Sequence, residues 1–370
     1  VPRTALAPSG RFPELDSLRA LAALAVMGWH FTRELPFPNT PLADTVRGLF
    51  GFHGHGGRLG IVFFFLLSGY LITWRLLGEW RRGRFSLLRF LARRALRIWP
   101  LYFAVLVVGF AFIPMITRFA GTPVVEDAPW WLYALFLANV SMLWHGDPAI
   151  GTLGVQWSVS IEEQFYMLWP LLLLLLRRPW LFIAAVAIIV LLSHCFAMNA
   201  DARTAYFHLL GNLRYLGLGA LLGALITLRG DAVEGLVRRV PAIIRNAFIV
   251  LMPLSVMLLY AWAGDLPPRV VVSDSIAIGA FGLVLLERSF ASTGMLRLDA
   301  FKPLPWLGTR SYGLYLLHMP AIALARWITA ADPSSAAAAI ALAVLFSCLF
   351  ADLGYRLIEQ PFLRMKQQLS

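Results

Sequence analysis

The sequence runs to 370 residues, of which 59% are hydrophobic and only 14% charged, with a net charge of +12. Soluble domains average roughly 45–50% apolar and about 25% charged, so this composition excludes a soluble enzyme, a disordered chain and a repeat solenoid. The apolar runs are long and unbroken, as at 171–176, rather than alternating, which excludes a membrane β-barrel and leaves an all-α, polytopic integral membrane protein.

Eleven apolar segments follow one another, at approximately 15–31, 58–77, 97–116, 130–144, 157–176, 181–198, 206–228, 243–263, 270–287, 306–328 and 336–358. A helical span needs about 20 apolar residues. The fourth segment is the shortest and carries Trp130, Trp131 and Trp144, a residue type of membrane interfaces. It is expected to be re-entrant or interfacial, which leaves ten transmembrane helices. Between the second and third segments lie Arg75, Arg81, Arg82, Arg84, Arg89, Arg93, Arg94 and Arg97, a density that belongs in the cytoplasm. With ten crossings, 24 of the 32 Lys and Arg fall on that side together with both termini, and six fall outside. An eleventh crossing would abolish this bias. The basic excess therefore reads as a topology signal and not as a nucleic-acid footprint. Cys195 and Cys348 sit inside apolar segments and read as small buried residues. The first segment contains Arg19 and His30 and is followed by no small-residue cleavage pattern, so no cleaved signal peptide is expected. Residues 1–370 are expected to form a single transmembrane domain, with no soluble domain appended at either end.

Ionisable residues within spans are costly and are the first candidates for function. Arg19 and His30 are eleven residues apart, close to three helical turns, so they share a face and lie about 16 Å apart along it. In the orientation above, Arg19 is near the cytoplasmic end and His30 near the outer end. The fifth segment opens Trp157-Ser158-Val159-Ser160-Ile161-Glu162-Glu163, with two carboxylates toward the side of His30. A carboxylate beside an imidazole orients it and raises its basicity, so Glu162 is expected to partner His30. Glu163 is expected to be interfacial and solvated. Arg94 and Arg97 are three apart and neighbours on one helix. Guanidinium forks match phosphate oxygens, and anionic membrane lipids are the other ligands that such a pair can anchor. His318 lies mid-segment, suited to a structural or a catalytic role, and His145, His194 and His208 have no evident partners. The run Gly51-Phe52-His53-Gly54-His55-Gly56-Gly57 holds two His with no carboxylate or thiolate cluster, so no metal is expected there.

Five stretches carry a family resemblance. They are Leu15-Asp16-Ser17-Leu18-Arg19 running to Trp29-His30-Phe31, with the spacing Arg, ten residues, His; Gly60-Ile61-Val62-Phe63-Phe64-Phe65-Leu66-Leu67-Ser68-Gly69-Tyr70-Leu71-Ile72; Arg94-Ala95-Leu96-Arg97-Ile98-Trp99-Pro100-Leu101-Tyr102; Trp157-Ser158-Val159 through Glu162 to Phe165-Tyr166; and Ser311-Tyr312-Gly313-Leu314-Tyr315 to His318, followed by the terminal Ile358-Glu359-Gln360-Pro361-Phe362. In this order, and over nearly the whole chain, they resemble the membrane-bound acyltransferase 3 family of bacteria. Val62 departs from the pattern, since many members carry an acidic residue there, and any role of that acid is unfilled. The resemblance implies transfer of an acyl group, most often acetyl, from cytoplasmic acyl-CoA (acetyl-CoA) to a hydroxyl of an envelope or exported glycan or a lipid-linked sugar. It implies residence in the bacterial cytoplasmic (inner) membrane. It also implies His30 as the essential His with Arg19 as its partner, Arg94 and Arg97 as the pair associated with acyl-CoA, and Glu162 as the Glu of the Trp-Ser stretch.

The helical geometry is compatible with that assignment. The CoA phosphates would sit at Arg94 and Arg97, its extended arm would pass Arg19, and its thioester would arrive near His30 and Glu162. His30 is expected to act as general base on the acceptor hydroxyl, oriented by Glu162, with an acyl-His intermediate as the open alternative. A transporter or exporter of a glycan or lipid-linked precursor also fits embedded Arg, His and Glu, although no internal repeat of the kind many transporters show is present. A glycosyltransferase with a lipid-linked sugar donor is the third reading.

Overall fold

The computed structural model describes residues 13–36, 40–51, 56–263, 267–290, 297–330 and 332–367. His53 and His55, which raised the question of a metal, lie outside the described residues. All regular elements among the described residues are helices, as a bilayer requires: with no water in its core, an unpaired spanning backbone must bond within itself. In chain order they are α1 (Pro13–Glu34), α2 (Pro41–Gly51), α3 (Gly56–Arg81), α4 (Leu87–Val107), α5 (Ile113–Phe119), α6 (Trp130–Ala134), α7 (Ala138–His145), α8 (Gln156–Leu176), α9 (Pro179–Asn199), α10 (Ala202–Phe207), α11 (Leu209–Arg239), α12 (Ala242–Ala263), α13 (Pro267–Ser289), α14 (Pro303–Thr309), α15 (Ser311–Ile328), α16 (Ala336–Gly354) and α17 (Gln360–Gln367).

Among the described residues, eight helical stretches are long and apolar enough to cross a membrane, built on α3, α4 with α5, α8, α9, α11, α12, α13 and α16. The protein is an all-α, polytopic integral membrane protein. The two other long helices, α1 and α15, have 22 and 18 residues and carry much of the polar chemistry. A π turn at Val108–Phe112 joins α4 to α5, and another at Tyr355–Glu359 joins α16 to α17.

The fourth apolar segment does not cross. It forms α6 and α7, broken at Phe136, whose φ is 56°. The eight residues of α7 span ~12 Å at the helical rise, against a hydrocarbon core of about 30 Å. The broken backbone is satisfied from neighbouring helices: Gln164 Nε2 donates to Phe136 O at 2.8 Å, and the Tyr102 hydroxyl donates to Tyr133 O at 2.8 Å.

Four local expectations are corrected. The basic stretch after residue 228 is helix rather than loop, since α11 continues through a kink at Arg229 to Arg239. His208 has a partner: it caps α11, its Nδ1 accepting from Leu210 N–H at 3.1 Å. So does His194, whose Nδ1 lies 3.3 Å from Ser275 Oγ. Cys195 is exposed on α9, because an apolar span has a lipid-facing side and apolar context alone does not imply burial. Outside the spans, Asp201 caps α10, and its hydrogen bonds from Thr204 hold its carboxyl below the usual range.

The bundle is built around α3. Of the apolar window of α3, 72% is buried, against 12% for α12 at the periphery. Helix α11 lies against α3 backbone to backbone: a Cβ on Gly69 would overlap the Leu216 carbonyl, and one on Gly219 would overlap the Leu66 carbonyl. Lipid offers no hydrophobic force between helices, so close approach at small residues supplies the packing. Helix α1 packs on α3, α14 and α15, with α8 also against α3. This arrangement gathers faces of α1, α3, α8 and α15 in the interior, with α4 closing one end.

Candidate active site

Arg19 near the start of α1 and His30 near its end line two separate cavities. The first has a volume of about 120 Å³. Into it point Arg19, Arg75 from α3, Arg94 and Arg97 from α4, and Glu162 from α8. Arg19 Nη1 donates to Asp16 Oδ1, one turn away, at 2.6 Å. Among the described residues, no carboxylate pairs with Arg75, Arg94 or Arg97. The Arg94 guanidinium lies over the rings of Phe90 and Tyr166, at 5.6 and 5.8 Å, and its Nε is buried without a partner. Guanidinium groups converging in a low-dielectric cavity make a strongly positive site for an anion.

Glu162 belongs to this cavity and not to His30. Its Oε1 accepts from Ser68 Oγ at 2.7 Å and its Oε2 from the Tyr166 hydroxyl at 2.9 Å. The reason is depth: Glu162 lies six residues past the start of α8, ~9 Å into the helix, level with the middle of α3. Glu163 is also corrected. It is 3% exposed rather than solvated, and it accepts from Trp99 Nε1 at 2.9 Å.

The neighbour of His30 is His318, on α15, with ring centroids 4.9 Å apart. His318 Nδ1 lies 3.1 Å from Leu314 O, an acceptor only, so Nδ1 carries a proton, and in the neutral tautomer Nε2 would hold the lone pair. That Nε2 is buried without a partner, as is His30 Nδ1. The two rings therefore hold an unpaired acceptor and an unpaired nitrogen within one contact. The rings are in van der Waals contact and no hydrogen bond joins them.

His30 faces a second cavity of about 490 Å³, walled by Trp29, Trp157 and Tyr206, with Arg58 also lining it. The two cavities meet at Ile61 and Tyr315, which line both. The Tyr315 hydroxyl is 2.6 Å from Ser158 Oγ, which fixes the ring between them. Among the described residues, no group of three His, Cys, Asp or Glu gathers as metal ligands.

A cationic cavity and an imidazole cavity, meeting along one helix, suit a reaction between an anionic donor at one end and a nucleophile at the other. A family profile described as an acyltransferase domain matches residues 12–352. The chain belongs to the acyltransferase 3 family. It is 27% identical over 368 residues to the peptidoglycan O-acetyltransferase OatA of Listeria monocytogenes, covering 94% of this chain and 55% of that protein. It is 27% identical over 370 residues to the O-acetyltransferase OatA of Staphylococcus aureus strain NCTC 8325, covering 94% of this chain and 57% of that one. The chain thus spans about half the length of the curated relatives it matches. No solved structure matches it.

In this acyltransferase 3 chain the structure places Arg19, Arg94, Arg97 and Glu162 in one cavity and His30 in the next, whereas motif reading put Glu162 beside His30. It counted Arg75 only as topology charge, and it left His318 open. It missed Asp274, whose signal was available: a carboxylate within an apolar segment.

Proposed function

We propose that this chain is an integral-membrane O-acyltransferase of the bacterial cytoplasmic membrane, with both termini inside. It moves an acyl group, acetyl by likeness to its relatives, from cytoplasmic acyl-CoA to a hydroxyl of an envelope glycan on the outer side. The observation that carries this reading is the pair of cavities meeting at Ile61 and Tyr315, arginine-rich at one end and holding two facing imidazoles at the other. The arginine asymmetry of the sequence supports the direction.

In this reading the phosphates of CoA pair with Arg75, Arg94 and Arg97. The thin pantetheine arm follows α1 past Arg19, covering the ~16 Å of helix between Arg19 and His30. Ser68 and Tyr166 hold Glu162 beside that path. At the far end, His30 takes the proton of the acceptor hydroxyl as its oxygen attacks the thioester carbonyl. The C–S bond breaks, and the proton passes to the departing thiolate. His318, rather than Glu162, is the titratable neighbour against which His30 packs.

The test uses purified protein and labelled acetyl-CoA, wild type beside His30→Ala. Loss of label from CoA is expected to fall about 10²- to 10⁴-fold in the variant, with CoA binding retained. Wild-type turnover by His30→Ala would remove His30 from the chemistry. A wild-type protein that neither binds nor turns over acyl-CoA would return the chain to the exporter reading.

A further inference from the structure

We infer that the larger cavity is a subsite for a singly charged acid group on the acceptor, a carboxylate or a phosphodiester of the glycan, held by Arg58. This deepens the acyltransferase reading and rests on it for the identity of the cavity as the acceptor side.

The argument is one of charge. Asp274, on α13, is fully buried. Arg58 donates to it from Nε at 2.9 Å and from Nη2 at 2.6 Å, and Arg214, on α11, donates from Nη2 at 2.8 Å. The hydroxyls of Tyr215 and Tyr260 also donate to it. Two guanidinium groups thus share one carboxylate whose oxygens are already fully engaged, and the cluster carries an excess positive charge in the interior of a membrane protein. Such a charge is expensive to bury, and neutralising Asp274 would need only one of the two cations.

Of the two guanidinium groups, Arg58 is the one that faces the cavity. Arg214 is 2% exposed, and its Nε and Nη1 are buried without partners. Arg58 lines the cavity, and among the described residues its Nη1 has no protein partner. The two acids on the cavity wall do not offset it: Asp147 is paired with Arg203 at 2.9 Å, and Glu34 with Arg326 at 3.5 Å. The Arg58 guanidinium lies over the Tyr206 ring at 4.9 Å, and Tyr206 packs on Trp157. A sugar ring can lie on that aromatic wall while its acid group meets Arg58.

The experiment measures direct binding to the full chain in detergent by calorimetry. The probes are a glucuronate-containing disaccharide, the same disaccharide with its carboxyl reduced to hydroxymethyl, and a sugar glycerophosphodiester. Wild type is expected to bind at least one acid form tenfold or more tightly than the reduced form, and which one identifies the source of the acid. Arg58→Gln is expected to bind acid and reduced forms alike while holding acyl-CoA as wild type does. Equal binding of all three probes by wild type overturns the subsite, as does an Arg58→Gln protein that keeps the preference. If Arg58→Gln does not fold, the wild-type ratio decides alone. Acyl-CoA turnover is followed in the same samples. Turnover without acid preference removes only the subsite, whereas acid preference without acyl-CoA binding removes the acyltransferase reading and leaves the anion site.

Discussion

At the scale of the residue, the two imidazoles give the sharpest expectation. If the His318 lone pair orients His30, His318→Gln keeps an acceptor in reach and His318→Leu does not. We expect kcat to fall at least tenfold further in His318→Leu than in His318→Gln, with KM for acyl-CoA unchanged in both; equal losses would reduce His318 to packing. In the other cavity, Arg94→Ala removes a charged donor worth about 1.5–3 kcal/mol, so CoA should bind roughly 10- to 100-fold more weakly, as titration calorimetry would read. An unchanged affinity would return Arg94 to lipid anchoring. That Arg19 and His30 share one helix was legible, because a helix of this length is a local property of the sequence. Glu162 was misassigned because both Ser68, which it meets, and His30, which it does not, are on other helices. A sequence gives the direction of a side chain around its own axis but not the depth at which a neighbour meets it. The Arg58–Asp274 contact, 216 residues apart in the chain, was hidden for the same reason.

At the scale of the element, the contact of α3 with α11 is set by glycine. Gly219→Leu places a side chain where the Leu66 carbonyl stands. Overpacking costs typically ~1–3 kcal/mol, and here it must push one helix backbone off another. We expect a lowered unfolding temperature in detergent and loss of acyl-CoA binding, because Ser68 and Arg75 ride on α3. An unaltered melting curve would show that α11 can step back freely. Apolar runs announced the long helices, since a span is a local property of about 20 residues. They did not announce the breaks at Phe136 and Arg229.

At the scale of the whole molecule, the proposed direction of transfer depends on which end of the bundle faces the cytoplasm. The chain has two cysteines, so a cysteine-free background is within reach. In it, a cysteine at Asp201 is expected to react with an impermeant maleimide in intact spheroplasts, and one at Arg239 only after permeabilisation; the reverse pattern would invert the orientation. The meeting point of the cavities then has a consequence beyond catalysis. In the proposed orientation the two cavities would open as vestibules on opposite faces and, if joined by water, would be a proton leak, and a membrane that stores energy as a proton gradient cannot tolerate one in each copy of an enzyme. Ile61 and Tyr315 stand where the vestibules meet, an apolar side chain and a ring pinned by Ser158. A slender acyl arm can thread between them while a water column is interrupted. If the donor reaches His30 as proposed, the same constriction would serve as electrical insulation, letting an acyl group cross a membrane that stays closed to protons.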